Sequence, residues 1–193
     1  MANTNQIFGF KPVMLLNGSP YNASGLLCYK AAGTTVTNDT FVGDPVNLTG
    51  TGDTKGIPGI VKATFADGNP CFGVIQAVAL DPNHLDRATW IDGADAGYVY
   101  VCVGKDVIFE VQADDVLTYT DIGQNAIAIQ TQAGSRTAGT SGVELDATVA
   151  TTVTYMFKIV GFPQREDNEI NAENNKILVT INNHLLVQDN TGF

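Results

Sequence analysis

The sequence predicts an all-β fold: an antiparallel β-sandwich or barrel with an extended N-terminal arm and long loops. Three observations predict it. Charged residues make up only 16% of the chain against 44% hydrophobic, and the polar balance is Thr, Asn, Gln and Gly, which favour strands and turns over helices. Late in the chain, apolar and polar residues alternate with period two, as a strand with one buried face requires. Short apolar runs are separated throughout by Gly, Pro, Asn and Asp, the residues that set turn geometry. The 193 residues divide into an extended arm, residues 1–16, and a single β-rich domain, residues 17–193.

In chain order, Ile7-Phe8-Gly9-Phe10-Lys11-Pro12 is apolar but broken by Gly and Pro, hence the arm. Leu26–Tyr29, Phe41–Val42 and Val46–Leu48 are short apolar pieces, and Thr49–Gly56 reads as a loop by composition. Gly59–Phe65 and Phe72–Leu80 are strands separated by the turn Ala66-Asp67-Gly68-Asn69-Pro70. Pro82–Trp90, with Asp81 as N-cap and Pro82 in its first turn, is the one candidate short helix, although it lacks an apolar stripe. Tyr98–Val103 and Val107–Val111 flank Gly104-Lys105-Asp106 and predict a hairpin. Val107, Phe109 and Val111 would share one face, Ile108 and Glu110 the other. Gly134–Gly142 is a flexible loop. Strands are predicted over Val153–Ile159 and Ile177–Asn182, with the polar stretch Gln164–Asn175 and its four acids between them. A long loop of that kind in a compact domain is usually functional or disordered.

The net charge of −10 and the scatter of the basic residues argue against binding a nucleic-acid backbone, which needs clustered Lys and Arg. Leu80–Asp146 holds 11 acids against Arg87, Lys105 and Arg136, either an acidic face for a basic partner or a solvating surface. Cys28, Cys71 and Cys102 are widely spaced, with no C-x-x-C pair, and form neither a metal ribbon nor a full disulfide framework. The N-terminus lacks the basic and apolar regions of a signal peptide. No apolar run reaches the roughly 18 residues of a membrane span.

Neither His84 nor His184 lies near a Gly-x-Ser-x-Gly elbow, so a hydrolase triad is not expected. Asp81/His84/Asp86 and Asp114/Asp115/Asp121 fit no zinc or calcium spacing, so neither metal nor cofactor is expected. Lys55 in the Gly-rich loop is followed by Gly56 and no helix, unlike a phosphate-cradling loop. The residues expected to bind a partner are Ile7, Phe8, Phe10 and Pro12 of the arm and Gln164, Arg165, Asn168 and Glu169 of the polar stretch. The arm's apolar side chains must pack somewhere, on the chain's own core or on a neighbouring surface.

Several segments carry a resemblance. Met1-Ala2-Asn3-Thr4 followed by Phe8-Gly9-Phe10-Lys11-Pro12-Val13 resembles the opening of small proteins encoded in the head modules of tailed bacteriophages. The likeness continues at Gly18–Asn22, Val42–Val46, Gly73–Ile75, Val107–Gln112 and Ser141–Asp146. It is densest at Arg165–Ile170 and Ile181–Leu185. The pieces keep their order over nearly the whole chain. Glu166 stands where relatives often have Pro, and Ile177 or Leu178 where they have Trp, departures that touch local packing. The resemblance to this head decoration (cement) family implies a non-enzymatic virion protein on the capsid exterior, made in the host cytoplasm. It further implies the major capsid protein as partner, and a homo-oligomer, a trimer ahead of a dimer. The alternatives are another β-rich virion part (head–tail, tail or fibre) or a carbohydrate-binding module.

Overall fold

The computed structural model describes residues 3–22, 25–33 and 39–187; Met1 and Ala2 of the opening motif lie outside them. The described residues form fourteen β-strands, no α-helix and one short 3₁₀ turn at Tyr119–Asp121. The strands make two main bodies. A five-stranded antiparallel sheet has the order β1 (Lys11–Leu15), β9 (Val107–Gln112), β14 (Lys176–Ile181), β13 (Phe157–Gly161), β10 (Asn125–Ala126). A closed barrel runs through β2 (Leu26–Lys30), β5 (Pro58–Lys62), β4 (Pro45–Gly52), β6 (Gly73–Val78) and β8 (Gly97–Cys102). All its pairings are antiparallel except β2 with β5, the parallel seam that closes it. Two-strand pairs join β3 (Thr40–Phe41) to β7 (Trp90–Ile91) and β11 (Ala128–Ile129) to β12 (Glu144–Leu145).

Period-two alternation builds two cores. Val99 and Val101 of β8 point inward with Val46, Ile60 and Ile75 to fill the barrel. Cys102 and Val74, on the barrel's other face, join Val107, Phe109, Val111, Ile177, Val179 and Ile181 in the core beneath the five-stranded sheet.

Four sequence readings need correction. Residues 81–90 contain turns and bends, no helix. The Asn83 amide donates to the Asp81 side chain, the His84 amide to the Asp81 carbonyl and the Arg87 amide to the His84 carbonyl. Leu85 is exposed and no apolar stripe holds a helix down, so short-range turns win. Second, β8 and β9 do not pair: β8 lies between β2 and β6, and β9 between β1 and β14. Gly104-Lys105-Asp106 carries the chain from the barrel to the sheet, because the inward faces of the two strands belong to different cores. Third, β4 runs on to Gly52, so half of the expected loop at Thr49–Gly56 is strand and the turn narrows to the Asp53 side chain, which accepts from the Lys55 and Ile57 amides. Fourth, β13 begins only at Phe157. Asn182 donates to the Val153 and Tyr155 carbonyls and Asn183 to the Thr154 carbonyl, holding residues 153–155 in a turn with Val153 exposed.

Both edges of the five-stranded sheet are covered. Just before β1 the Phe10 amide donates to the Gly43 carbonyl, and on β1 the Leu15 amide donates to the Ser19 carbonyl and the Val13 carbonyl accepts from the Tyr21 amide. Pro12 lacks an N–H altogether. On β10, Asn125 and Ala150 exchange both backbone hydrogen bonds.

Candidate functional site

The expected arm is laid along the molecule, and residues 11–15 of it are β1, paired with β9. The Phe10 ring is buried in the chain's own core and stacks on Phe157 with centroids 4.3 Å apart. Before it the backbone crosses the β3–β4 turn where Gly9 and Gly43 touch. Both have positive φ, +76° and +95°, and a Cβ on Gly9 would meet the Gly43 carbonyl oxygen at 2.7 Å. Glycine at both positions is what lets the arm come this close.

Amide side chains fasten the rest. The buried Gln112 accepts from the Gln6 amide at 2.8 Å and donates to the Asn5 and Glu144 side chains, each at 2.9 Å. Asn3 donates to the Glu169 and Glu173 carbonyls and accepts from the Glu169 amide. The two segments singled out in the sequence, the arm and Gln164–Asn175, are therefore stitched to each other. Asn168 is buried and orders the second segment: it donates to the Pro163 and Lys176 carbonyls and accepts from the Lys176 amide at 2.7 Å.

Between these segments and the barrel lies an open groove of about 910 Å³. Phe8, Pro12 and Val42 form its apolar shelf, and Lys11, Arg165 and Lys176 are its cations. Arg165 grips Glu110 with two hydrogen bonds, at 3.0 and 2.7 Å, and reaches Asp167 at 3.1 Å. The Glu110 bond first, offset in part by burial, raises the guanidinium pKa above its ordinary value. At the barrel end, the Tyr21 hydroxyl donates to Gln76 at 2.7 Å. Burial, then a hydrogen bond with Cys102, pushes the Tyr21 pKa up. Among the described residues, this lining combines an apolar surface with paired and unpaired charges.

Of the residues expected to bind a partner, Phe8, Phe10, Pro12 and Arg165 meet in this groove. Ile7 faces the opposite way, into a separate depression with Gln132 and Ser141. Gln164 is exposed and donates to the Phe162 carbonyl, Asn168 orders its own loop, and the Glu169 backbone bonds Asn3 of the arm. Lys11, Val42, Gln76, Glu110 and Lys176 were not expected here. They come from strands and turns far apart in sequence, and only the β1–β9–β14 register gathers the charged ones. His84 lies 3.9 Å from Asp95 at the surface, and His184 is buried against the Val103 carbonyl. Among the described residues, no group of three or more His, Cys, Asp or Glu is placed to hold a metal ion. Compared with known proteins, the chain matches no family model, no curated protein and no solved structure.

Proposed function

We propose that this chain is a non-enzymatic virion structural protein of a tailed phage, a decoration or cement protein that binds the lattice of the major capsid protein from outside. The observation that carries the reading is the ordered series of segments resembling that family, from the Phe8–Val13 opening to Ile181–Leu185. The groove supports it: the opening segment and the densest resembling segment, Arg165–Ile170, lie side by side on one open, ligand-accessible face. A partner that binds only the assembled lattice stabilises it by mass action at every copy. A closed homo-oligomer, a trimer ahead of a dimer, belongs to the same reading, since lattice symmetry axes favour it.

The test adds purified protein to particles lacking it, followed by cryo-electron microscopy. Regular density on the capsid exterior at lattice positions, with raised thermal stability of the particle, is expected. Absence of bound density, or density only at the tail, overturns the reading.

A further inference from the structure

We infer that the groove between the arm and the barrel takes an extended acidic peptide segment of the partner. Its Asp or Glu carboxylate would meet Lys176 and Lys11, and its apolar side chains would lie on Phe8, Pro12 and Val42. The inference rests on the function proposed above and adds the chemistry of what is gripped.

Lys11, Arg165 and Lys176 line this one groove together with the acids Glu110 and Asp167, in a chain of net charge −10. Arg165 is committed to Glu110 and Asp167. Lys176 is different. Its residue is only 6% exposed, and among the described residues its ammonium reaches one acceptor, the Thr4 carbonyl at 3.5 Å. The one long contact leaves that ammonium without a strong acceptor, and a carboxylate entering the groove would supply a charge-assisted one. Lys11 is exposed on β1, across β9 from Lys176 and opposite Glu110 in the ladder, and supplies a second positive charge from solvent.

The apolar shelf beside these cations decides between anions. Phosphate has no use for Phe8, Pro12 and Val42, whereas a peptide alternating acidic and apolar side chains uses both. The long-range repulsion from the chain's overall charge is screened beyond about 8 Å at physiological salt, so the groove's own cations set the attraction at contact. At about 910 Å³ the groove has room for an extended segment of a few residues, which rises about 3.3 Å per residue.

The experiment titrates the full chain calorimetrically with a capped peptide of about ten residues alternating Glu and Val, with its Gln–Val counterpart, with acetate and with inorganic phosphate. The acidic peptide is expected to bind at least about tenfold more tightly than the other three, and Lys176→Met and Lys11→Gln each to weaken it about tenfold. Lys11→Gln changes an exposed side chain, so it tests the groove even where Lys176→Met unfolds the protein. Equal affinity for the Glu and Gln peptides, binding no tighter than acetate or phosphate, or no binding at about 1 mM overturns the inference. Wild-type protein that binds the peptide but leaves particles bare overturns the capsid function and not the groove chemistry. Particle binding untouched by Lys11→Gln and Lys176→Met does the reverse.

Discussion

Gly9 and Gly43 pack backbone to backbone: a Cβ added to Gly43 would stand 2.7 Å from the Phe8 carbonyl oxygen and 3.1 Å from the Gly9 Cα. The contact ties the N-terminal segment to the barrel, and the Phe10 amide bonds the Gly43 carbonyl at 2.9 Å beside it. Each substitution to Ala adds a left-handed strain and a backbone clash. Gly9→Ala and Gly43→Ala are each expected to cost about 2–4 kcal/mol in urea unfolding. A loss under about 0.5 kcal/mol, the range of ordinary surface changes, contradicts the tight crossing.

Phe10 is an internal residue. Phe10→Ala empties a fully buried site against Phe157 and is expected to cost about 3–5 kcal/mol. Deleting residues 1–12 is expected to destabilise the fold as well, since it removes Phe10 and the start of β1. Phe8→Ala, at a half-buried groove position, should cost much less. Chemical denaturation of the three variants checks the order, and equal losses for Phe8→Ala and Phe10→Ala would refute it.

His184 gives the fold an acid-sensitive point. Its Nδ1 accepts from the Leu186 amide at 3.1 Å, and its Nε2 lies 2.8 Å from the Val103 carbonyl and so carries the hydrogen. The neutral ring fits this pair of bonds. Burial first, with nearby Lys105 adding to it and the Val103 bond opposing, lowers the pKa below its ordinary 6.5. Below pH 6.5 the unfolded chain therefore takes up a proton that the folded chain refuses. Stability is full above that pH and is lost as pH falls, by at most about 1.4 kcal/mol per unit between the two pKa values. Unfolding of wild type and His184→Gln at pH 7.5 and 5 checks this: the variant should lose less on acidification, and an equal loss would count against it.

Glu110 is buried and its charge is balanced by Arg165, whose own side chain is 44% exposed. Arg165→Leu leaves a shielded carboxylate unpaired and is expected to cost about 1–3 kcal/mol, less than a fully buried pair because solvent reaches the arginine. Glu110→Gln in the Arg165→Leu background should restore part of it. Thermal melting of the double-mutant cycle reads the coupling, and strictly additive losses would show there is none.

Cys28, Cys71 and Cys102 are free and buried. Burial raises the Cys28 pKa to about 11, and pushes Cys71 up to about 12 with Cys102 adding to the rise and hydrogen bonds to Gly73 and Val46 opposing it. Native protein is expected to react negligibly with a thiol reagent at pH 8, and all three cysteines to react in denaturant. Fast modification of the folded chain would contradict this burial.

The strands legible in the sequence were those whose pattern is set by one neighbouring core. Ile177, Val179 and Ile181 alternate because a single core lies beneath them, and β14 follows that pattern closely. Val153 and Tyr155 continue a similar alternation but are held in a turn by Asn182 and Asn183, long-range bonds that no local pattern records. The Tyr98–Val111 pairing failed because adjacency in sequence does not say which of two cores a strand serves. Much the same holds for the groove. Phe8, Pro12 and Arg165 stood out as an apolar arm and a polar loop. Lys176 lies just before the predicted strand Ile177–Asn182, and only the β9–β14 register brings it to the groove.

The hydrogen bonds at the two ends of the five-stranded sheet bear on how copies behave at high concentration. A bare strand margin is a template onto which another chain can zip, and repetition of that step makes fibres. At β1 the Phe10 and Leu15 amides and the Val13 carbonyl are already spent, and Pro12 has no hydrogen to offer; β10 is closed by Ala150. The barrel, being continuous, presents no margin. Among the described residues, the two main sheets thereby steer crowded copies away from sheet-to-sheet polymerisation, and only the two-residue strands of β3–β7 and β11–β12 lie outside that protection.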